Sequence, residues 1–563
     1  MRINDSFTTD SVGQKEAVPL LLIFCAAFGL FSLDWFNGLP AGGVPSVGAE
    51  RVLAGDLPYR DFWTMYAPGH FYLLALVYRL FGTTYLVESV AATVFCATTT
   101  CLCYWLARNL GSKRLLALGC AAVFLAAMHN KGYHKNLGSY PSASLFLLLE
   151  LNCLVLHYKT GRRNWLLGAG LAVGTVVIFK HDVGAYTAIA TVLGLLVFHF
   201  VKRFRTNARE SLTSLLLKIV LYSVAAAVIV LPVLLYFSWL TWPDMVRNLV
   251  TFPLGDFPFS RPESYPGLLP LNLWDKSRVQ TMENVCRYLV FALPFLWFLL
   301  GIVTIGLAIQ QRRPEIAALA TTFCAAYAFH YWAAHVQINT HIISMSVYGA
   351  LLGALFWQFA QTAYNIQPTM VRRFLAIGVA MVWLLSLAAA PGYKRWVARN
   401  KPVAKLTLPK VAGVKVPVED ARNLTNLAEF VNATIPPDQP IFIGVHRHDI
   451  VVFGDVMAYF ILNRRSATRY QELHPAITDT APIQREIIND LERQKLPLLI
   501  LKQVFPDDVL DAVKQDFLKN LPNIGATELD RYIREHYVEV RRFGLSQVWM
   551  RKELIAKSEH KLH

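Results

Sequence analysis

The stretch Leu216–Leu240, LLKIVLYSVAAAVIVLPVLLYFSWL, carries a single charged side chain, Lys218, near its start. A helix needs about 20 consecutive apolar residues to cross roughly 30 Å of hydrocarbon, where only its own backbone hydrogen bonds are available. This segment has that length, and others like it stand on both sides. The set reads Val18–Phe36, Tyr85–Ala107, Leu115–Met128, Ala143–Tyr158, Trp165–Phe179, Ala185–Val201, Leu216–Leu240, Tyr288–Ala308, Ile316–Trp332, Ile342–Gln361 and Phe374–Ala390. The sequence thus predicts a mostly α, polytopic membrane protein with about 11 transmembrane helices. A composition of 55% hydrophobic and 16% charged residues, with mean hydropathy +0.38, excludes an ordinary water-soluble globule of 563 residues.

Basic residues concentrate in short cytoplasmic loops. Arg108/Lys113/Arg114, Lys159/Arg162/Arg163, Lys202/Arg203/Arg205/Arg209, Arg312/Arg313 and Arg372/Arg373 all fall on one side of this arrangement. That side is read as the cytoplasm, and the chain after Ala390 as outside. These loops account for much of the net charge of +16, which points to membrane lipids as the partner and away from nucleic acid. Most of the eight cysteines lie within spans and Cys286 borders one. Cys101-Leu102-Cys103 lacks zinc-knuckle spacing and reads as packing. Val18–Phe36 has no Ala-x-Ala-like cleavage site and reads as a retained anchor.

Gly69–Phe81, GHFYLLALVYRLF, is too short to span and carries Arg79. It is expected to lie on the outer surface as an amphipathic helix, after a short helix over Ser46–Ala54. The outer loop 37–84 is therefore structured. His129–Tyr140 and Thr241–Arg287 form the other notable outer loops. Past Ala390 the composition becomes that of a soluble domain, with a basic linker Lys394–Lys415. There follow helix Glu419–Ala433, strand Pro440–Val445, a helix around Asp455–Leu462, helix Thr480–Gln494, strand Leu496–Leu501, helix Asp507–Asn520 and a closing strand within Arg541–Arg551. The alternation predicts a C-terminal soluble α/β domain with a largely parallel sheet. The division is 1–392 for the transmembrane domain and 393–563 for the periplasmic α/β domain.

Polar groups at or just outside membrane depth are costly and are functional candidates. Asp34 ends the first span beside Trp35. Lys180-His181-Asp182 stands at the outer end of span five, and Lys131, His134 and Lys135 lie in the loop before span four. His330, His335 and His341 are too unevenly spaced to share one helix face as a zinc motif, and read as hydrogen-bonding groups for a sugar or phosphate.

Glu50 to Phe62 includes Gly55 and Pro58-Tyr59-Arg60-Asp61-Phe62, followed by Tyr66 and Pro68-Gly69. On the first outer loop after a first span, this pattern resembles the bacterial polytopic GT-C glycosyltransferases related to protein O-mannosyltransferases and aminoarabinose transferases. Phe179–Gly184 and the tail segments His446–Asp449, Gly454-Asp455, Ala467–Tyr470 and Asp479-Thr480 extend the likeness. The resemblance implies a GT-C-like fold in a bacterial inner membrane. It also implies inverting transfer of a hexosyl or pentosyl group from a polyprenyl-phosphate sugar donor to a glycan, lipid or protein acceptor at the outer face.

In that class an acid of the first outer loop serves as base or metal ligand, so a divalent metal is an open alternative to a metal-free base. The family's Asp-Glu pair would fall near Ala41 or Gly42, where no acid stands. Asp34 is therefore the first choice as catalytic acid and Asp61 the second. Lys180, Arg60, Lys131, His134 and Lys135 are assigned to the donor phosphate, whose growing negative charge needs preorganised cations. His181, Asp182, Tyr59, Tyr66, His335 and His341 are assigned to the substrate cavity. The alternatives are a transporter or flippase of lipid-linked sugars and a non-catalytic GT-C-like scaffold.

Overall fold

The computed structural model describes residues 9–39, 42–205, 211–260, 278–364, 402–452 and 454–559. Contacts divide the chain into two compact units. One is Met1–Leu33, Val90–Val233 and Glu263–Arg399; the other is Asp34–Ser89, Leu234–Pro262 and Asn400–His563. Residues 34–89 thus cluster with the C-terminal domain.

The helices of the membrane part are α1 (Thr9–Ser32), α4 (Tyr85–Asn109), α5 (Arg114–Lys131), α6 (Ser139–Thr160), α7 (Arg163–Phe179), α8 (His181–Arg205), α9 (Leu212–Thr241), α10 (Arg278–Gln310) and α11 (Pro314–Tyr364). Between α1 and α4 lie α2 (Val44–Leu53) and α3 (Gly69–Phe81). Among the described residues five helices are long and apolar enough to cross a membrane: Tyr85–Asn109, Ser139–Thr160, His181–Phe204, Leu212–Thr241 and His341–Ala360. Shorter apolar helices include Glu16–Ser32, Arg114–His129, Arg163–Phe179 and Pro294–Gln310. The chain is a multi-pass membrane protein. The expected span Phe374–Ala390 lies outside the described residues.

One expectation needs correction. α10 starts at Arg278, ten residues before the expected Tyr288, because helix-forming polar residues prolong it beyond its apolar part. Expected spans nine and ten fall within one unbroken helical element, the 51-residue α11, whose later part is the membrane-length helix His341–Ala360. It doubles back on itself: His330 Nδ1 lies 2.9 Å from His341 Nδ1, where eleven residues of straight helix would separate them by roughly 16 Å. Phe323 and Tyr348, with ring centroids 6.2 Å apart, close the same hairpin further down.

Glycine permits the closest approaches. A Cβ on Gly184 of α8 would meet the Val177 backbone of α7 at 2.7 Å, so the corner between these helices cannot hold alanine without moving. In the outer loop, α3 buries His70, Phe71, Leu74, Ala75 and Tyr78 and exposes Tyr72, Leu76, Leu80 and Phe81. That is the two-faced pattern of an amphipathic helix.

The tail holds α12 (Val418–Thr434), α13 (Met457–Leu462), α14 (Ala481–Arg493), α15 (Asp507–Leu518) and α16 (Glu528–His536). Its strands are β1 (Val403–Lys405), β2 (Lys415–Pro417), β3 (Phe442–Val445), β4 (Leu498–Lys502), β5 (Tyr537–Phe543) and β6 (Ser546–Arg551). The main sheet has the order β3-β4-β6-β5. Only β3 and β4 pair in parallel; β4/β6 and β5/β6 are antiparallel. The sheet is therefore mixed rather than largely parallel. The reason is local: β5 and β6 are joined by the tight turn at Gly544-Leu545, which permits only a hairpin. β1 and β2 pair within what reads in sequence as a linker, anchoring it.

Candidate functional site

Lys180 leaves α7 with extended backbone, φ −152° and ψ 95°. α8 begins at the next residue, with Asp182 in its first turn, where the helix dipole favours an acid. Asp182 Oδ1 accepts from the Val183 amide at 2.8 Å, and its Oδ2 accepts from Lys180 Nζ at 3.0 Å. From α11, His341 Nε2 comes within 3.8 Å of the same oxygen. His341 Nδ1 in turn lies 2.9 Å from His330 Nδ1, where one ring donates and the other accepts. The Tyr186 ring stands edge-on to His330 at 5.6 Å and tilted to His341 at 6.3 Å.

This cluster brings together Lys180, Asp182 and His341, with His181 half-buried at its edge. The Lys180 side chain is only 9% exposed. A nearly buried ammonium beside imidazoles offers charge-assisted hydrogen bonds to anionic oxygen, and low local polarity strengthens them. The His335 side chain lies outside the described residues.

A second group in the same unit contains His134. It is fully buried and stacks on His129 with centroids 4.8 Å apart and planes 4° apart. Phe31 of α1 packs on both rings, at 6.1 Å and 5.0 Å. Two parallel imidazoles are a nitrogen pair of the kind that divalent metals take. Lys135 is half-buried nearby in sequence, and the Lys131 side chain lies outside the described residues.

In the other unit the Pro58–Phe62 element forms a locked turn. Asp61 Oδ2 accepts from the Leu57 amide at 2.7 Å and pairs with Arg60 at 2.8 Å. Hydrogen bonding from Arg60 holds the Asp61 carboxyl below its usual range, against a smaller opposing effect of burial. Arg51 donates to the Asp61 carbonyl at 2.6 Å, pairs with Asp56 at 2.7 Å and covers the Phe62 ring at 5.3 Å. Tyr59 is fully buried, and its hydroxyl donates to the Tyr66 carbonyl at 2.9 Å. Asp34 is 8% exposed and accepts from the Asn37 amide group at 3.3 Å.

Sequence reasoning passed over three residues. Glu150, midway along α6 and fully buried, accepts from Thr191 Oγ1 of α8 at 2.8 Å and Tyr222 OH of α9 at 3.2 Å. A lone acid inside an apolar run was the available signal. Arg51 and Arg469 are both bound to the Pro58–Phe62 turn, and Arg469 carried no signal short of the fold, since Tyr59 is 410 residues away.

No family model matches the chain, and no curated protein matches it. Among solved structures, the crystal structure of ArnT from Cupriavidus metallidurans bound to undecaprenyl phosphate superposes with TM-score 0.54 at 14% identity, covering 95% of this chain and 98% of that one. A cryo-EM structure of the arabinofuranosyltransferase AftD from mycobacteria covers 94% of this chain and 41% of that one, at 12% identity and TM-score 0.44. The chain shares the fold of ArnT over nearly its whole length.

Proposed function

We propose that this protein is a GT-C glycosyltransferase that moves a sugar from a polyprenyl-phosphate-linked donor to an acceptor at the outer face of a bacterial inner membrane. The observation that carries this is the nearly buried Lys180, held by Asp182 beside His341, on a fold shared with a protein crystallised with undecaprenyl phosphate. Lys180 would bind the donor phosphate and stabilise its charge as the bond to the anomeric carbon breaks. Arg60, Lys131, His134 and Lys135 would supply further positive charge or hydrogen bonds. His181, Asp182, Tyr59, Tyr66, His335 and His341 would orient the sugar.

Asp34 would take the proton from the attacking acceptor hydroxyl, giving inversion in a single displacement. Phe31, which packs on His129 and His134, precedes Asp34 by three residues in the chain. The His129 and His134 imidazoles are the nitrogen donors with which a divalent metal would be held. Such a metal would supply a positive charge for phosphate oxygen. The transferred group would be a hexose or pentose, the acceptor a glycan, lipid or protein, and the α/β tail periplasmic.

The test is transfer by the full chain in nanodiscs, offered a panel of radiolabelled polyprenyl-phosphate pentoses and hexoses. Release of polyprenyl phosphate by the natural protein and not by Lys180→Ala supports the reading. No turnover of any donor, with undecaprenyl phosphate still bound, would favour the non-catalytic scaffold.

A further inference from the structure

Tyr59 has φ +73°, in the left-handed region that side chains bearing a Cβ avoid. Such a conformation persists only where its surroundings over-determine it. The Tyr59 amide donates to the Phe62 carbonyl at 2.8 Å, closing the turn from within. The constraint on its two ends comes from one residue 410 positions away: Arg469 donates from its guanidinium to the Tyr59 carbonyl at 3.0 Å. The Arg469 carbonyl accepts from the Trp63 amide at 2.8 Å. Both ends of Tyr59–Trp63 are thus held by a single residue of the tail.

Arg469 is itself fixed. Its guanidinium also donates to Asp244 Oδ2 at 3.0 Å and lies 3.8 Å from Glu486, and the neighbouring Thr468 carbonyl accepts from Arg51 at 3.2 Å. Tyr59 is turned inward and fully buried. The next residue, Arg60, is turned outward with its side chain 52% exposed, steadied by Asp61. The left-handed step at Tyr59 is what separates these two directions.

We propose that Arg469 is a positioning residue: it clamps the Tyr59–Trp63 turn in its left-handed form and so presents Arg60 to an anionic oxygen, of the phosphate class. With the clamp open, Tyr59 is free to relax to an ordinary conformation and Arg60 loses its fixed direction. The anion half of this proposal rests on the donor reading above; the clamp half does not.

The experiment uses the full chain in detergent micelles with Arg469→Ala, Arg469→Lys, Arg60→Ala and the Arg60→Ala/Arg469→Ala pair. The lysine variant keeps the charge, but one ammonium cannot replace the guanidinium fork; it also gives the answer should the alanine variant not fold. The first readout is trypsin cleavage after Arg60. Release of the turn should speed it by about tenfold in Arg469→Ala and less in Arg469→Lys, with cleavage after the exposed Arg485 unchanged. The second is affinity for undecaprenyl phosphate. Arg469→Ala and Arg60→Ala should each weaken it by about tenfold, and the double variant no further, because both act at one point. Unchanged cleavage after Arg60 overturns the clamp. Additive losses of affinity overturn the link from Arg469 to Arg60. Faster cleavage with unaltered affinity leaves the clamp standing and overturns the anion role of Arg60.

Discussion

Lys180 Nζ and Asp182 Oδ2 stand 3.0 Å apart across the break between two helices, and His341 approaches the same carboxylate at 3.8 Å. The ammonium is thereby held in place before any ligand arrives, with its side chain almost out of solvent. A phosphate would meet a cation that has little freedom left to lose, which is the condition for a tight and well-directed contact.

Removing that cation should be costly. Lys180→Ala is expected to weaken undecaprenyl phosphate binding by about ten- to a hundredfold, the equivalent of about 1.5–3 kcal/mol. Asp182→Asn, which leaves the ammonium present but weakens its tether, should also lower affinity, though by less than Lys180→Ala does. Titration of the ligand against full-length protein in detergent measures both. Equal affinity for Lys180→Ala and the natural protein would remove Lys180 from the donor site.

Asp34 and Asp61 should separate in their effects. Asp61 is engaged by Arg60 and the Leu57 amide, so Asp61→Asn acts on turn geometry. Asp34→Asn, which keeps shape and removes charge, should lower turnover by at least about a hundredfold if Asp34 is base or metal ligand. Asp61→Asn should cost less. The reverse order in a transfer assay would move the chemistry to the turn.

A third expectation concerns pH. Asp479 is fully buried in the tail, and burial outweighs the neighbouring Val451 and Ala476 amides, pushing its carboxyl up to about 7. Below about pH 4 the folded and unfolded chains both hold this proton, and nothing is lost. As pH rises from about 4 to 7 the unfolded chain releases it first, so stability declines, by a few kcal/mol at most. Thermal melting of the full chain across this range should fall for the natural protein. Asp479→Asn should flatten that portion of the curve; an unchanged slope would assign it to other groups.

Glu150 ties three helices through two hydroxyl groups. Glu150→Leu strands Thr191 and Tyr222 without their acceptor and should destabilise the membrane part by about 1–3 kcal/mol. Glu150→Gln retains a carbonyl for both and should lose much less. Melting in detergent distinguishes them, and equal behaviour of the two variants would show that the hydroxyl contacts contribute nothing.

The orientation inferred from the basic loops also has a direct check. A reporter that fluoresces only in the cytoplasm, fused after His563, should stay dark. Bright cells would require an even number of crossings.

What could be read from sequence was whatever local pattern determines. The bounds of Gly69–Phe81 follow from an apolar period opened by Pro68-Gly69 and closed by Gly82, and the observed helix has those bounds. The helices of the tail follow from similar amphipathic spacing. β1, β2 and β5 were missed because three- to seven-residue strands rich in lysine, arginine or proline resemble loops until their partners are known. The same holds for chemistry. Lys180 and Asp182 are adjacent enough to be noticed together, whereas the pairing of Asp182 with His341, or of Tyr59 with Arg469, depends on tertiary contacts that no local pattern encodes.

The hairpin within α11 sets a length standard for the chain. Helical structure continues through the reversal, so no slack segment stands ready to absorb an extra residue between His330 and His341. One inserted residue would rotate everything after it by about 100° about the helix axis, swinging His341 away from both His330 and Asp182. Membrane proteins ordinarily drift by lengthening and shortening the segments between spans. At this reversal that route is closed, and lineages that keep the histidine contact must also keep the count of residues between its two members.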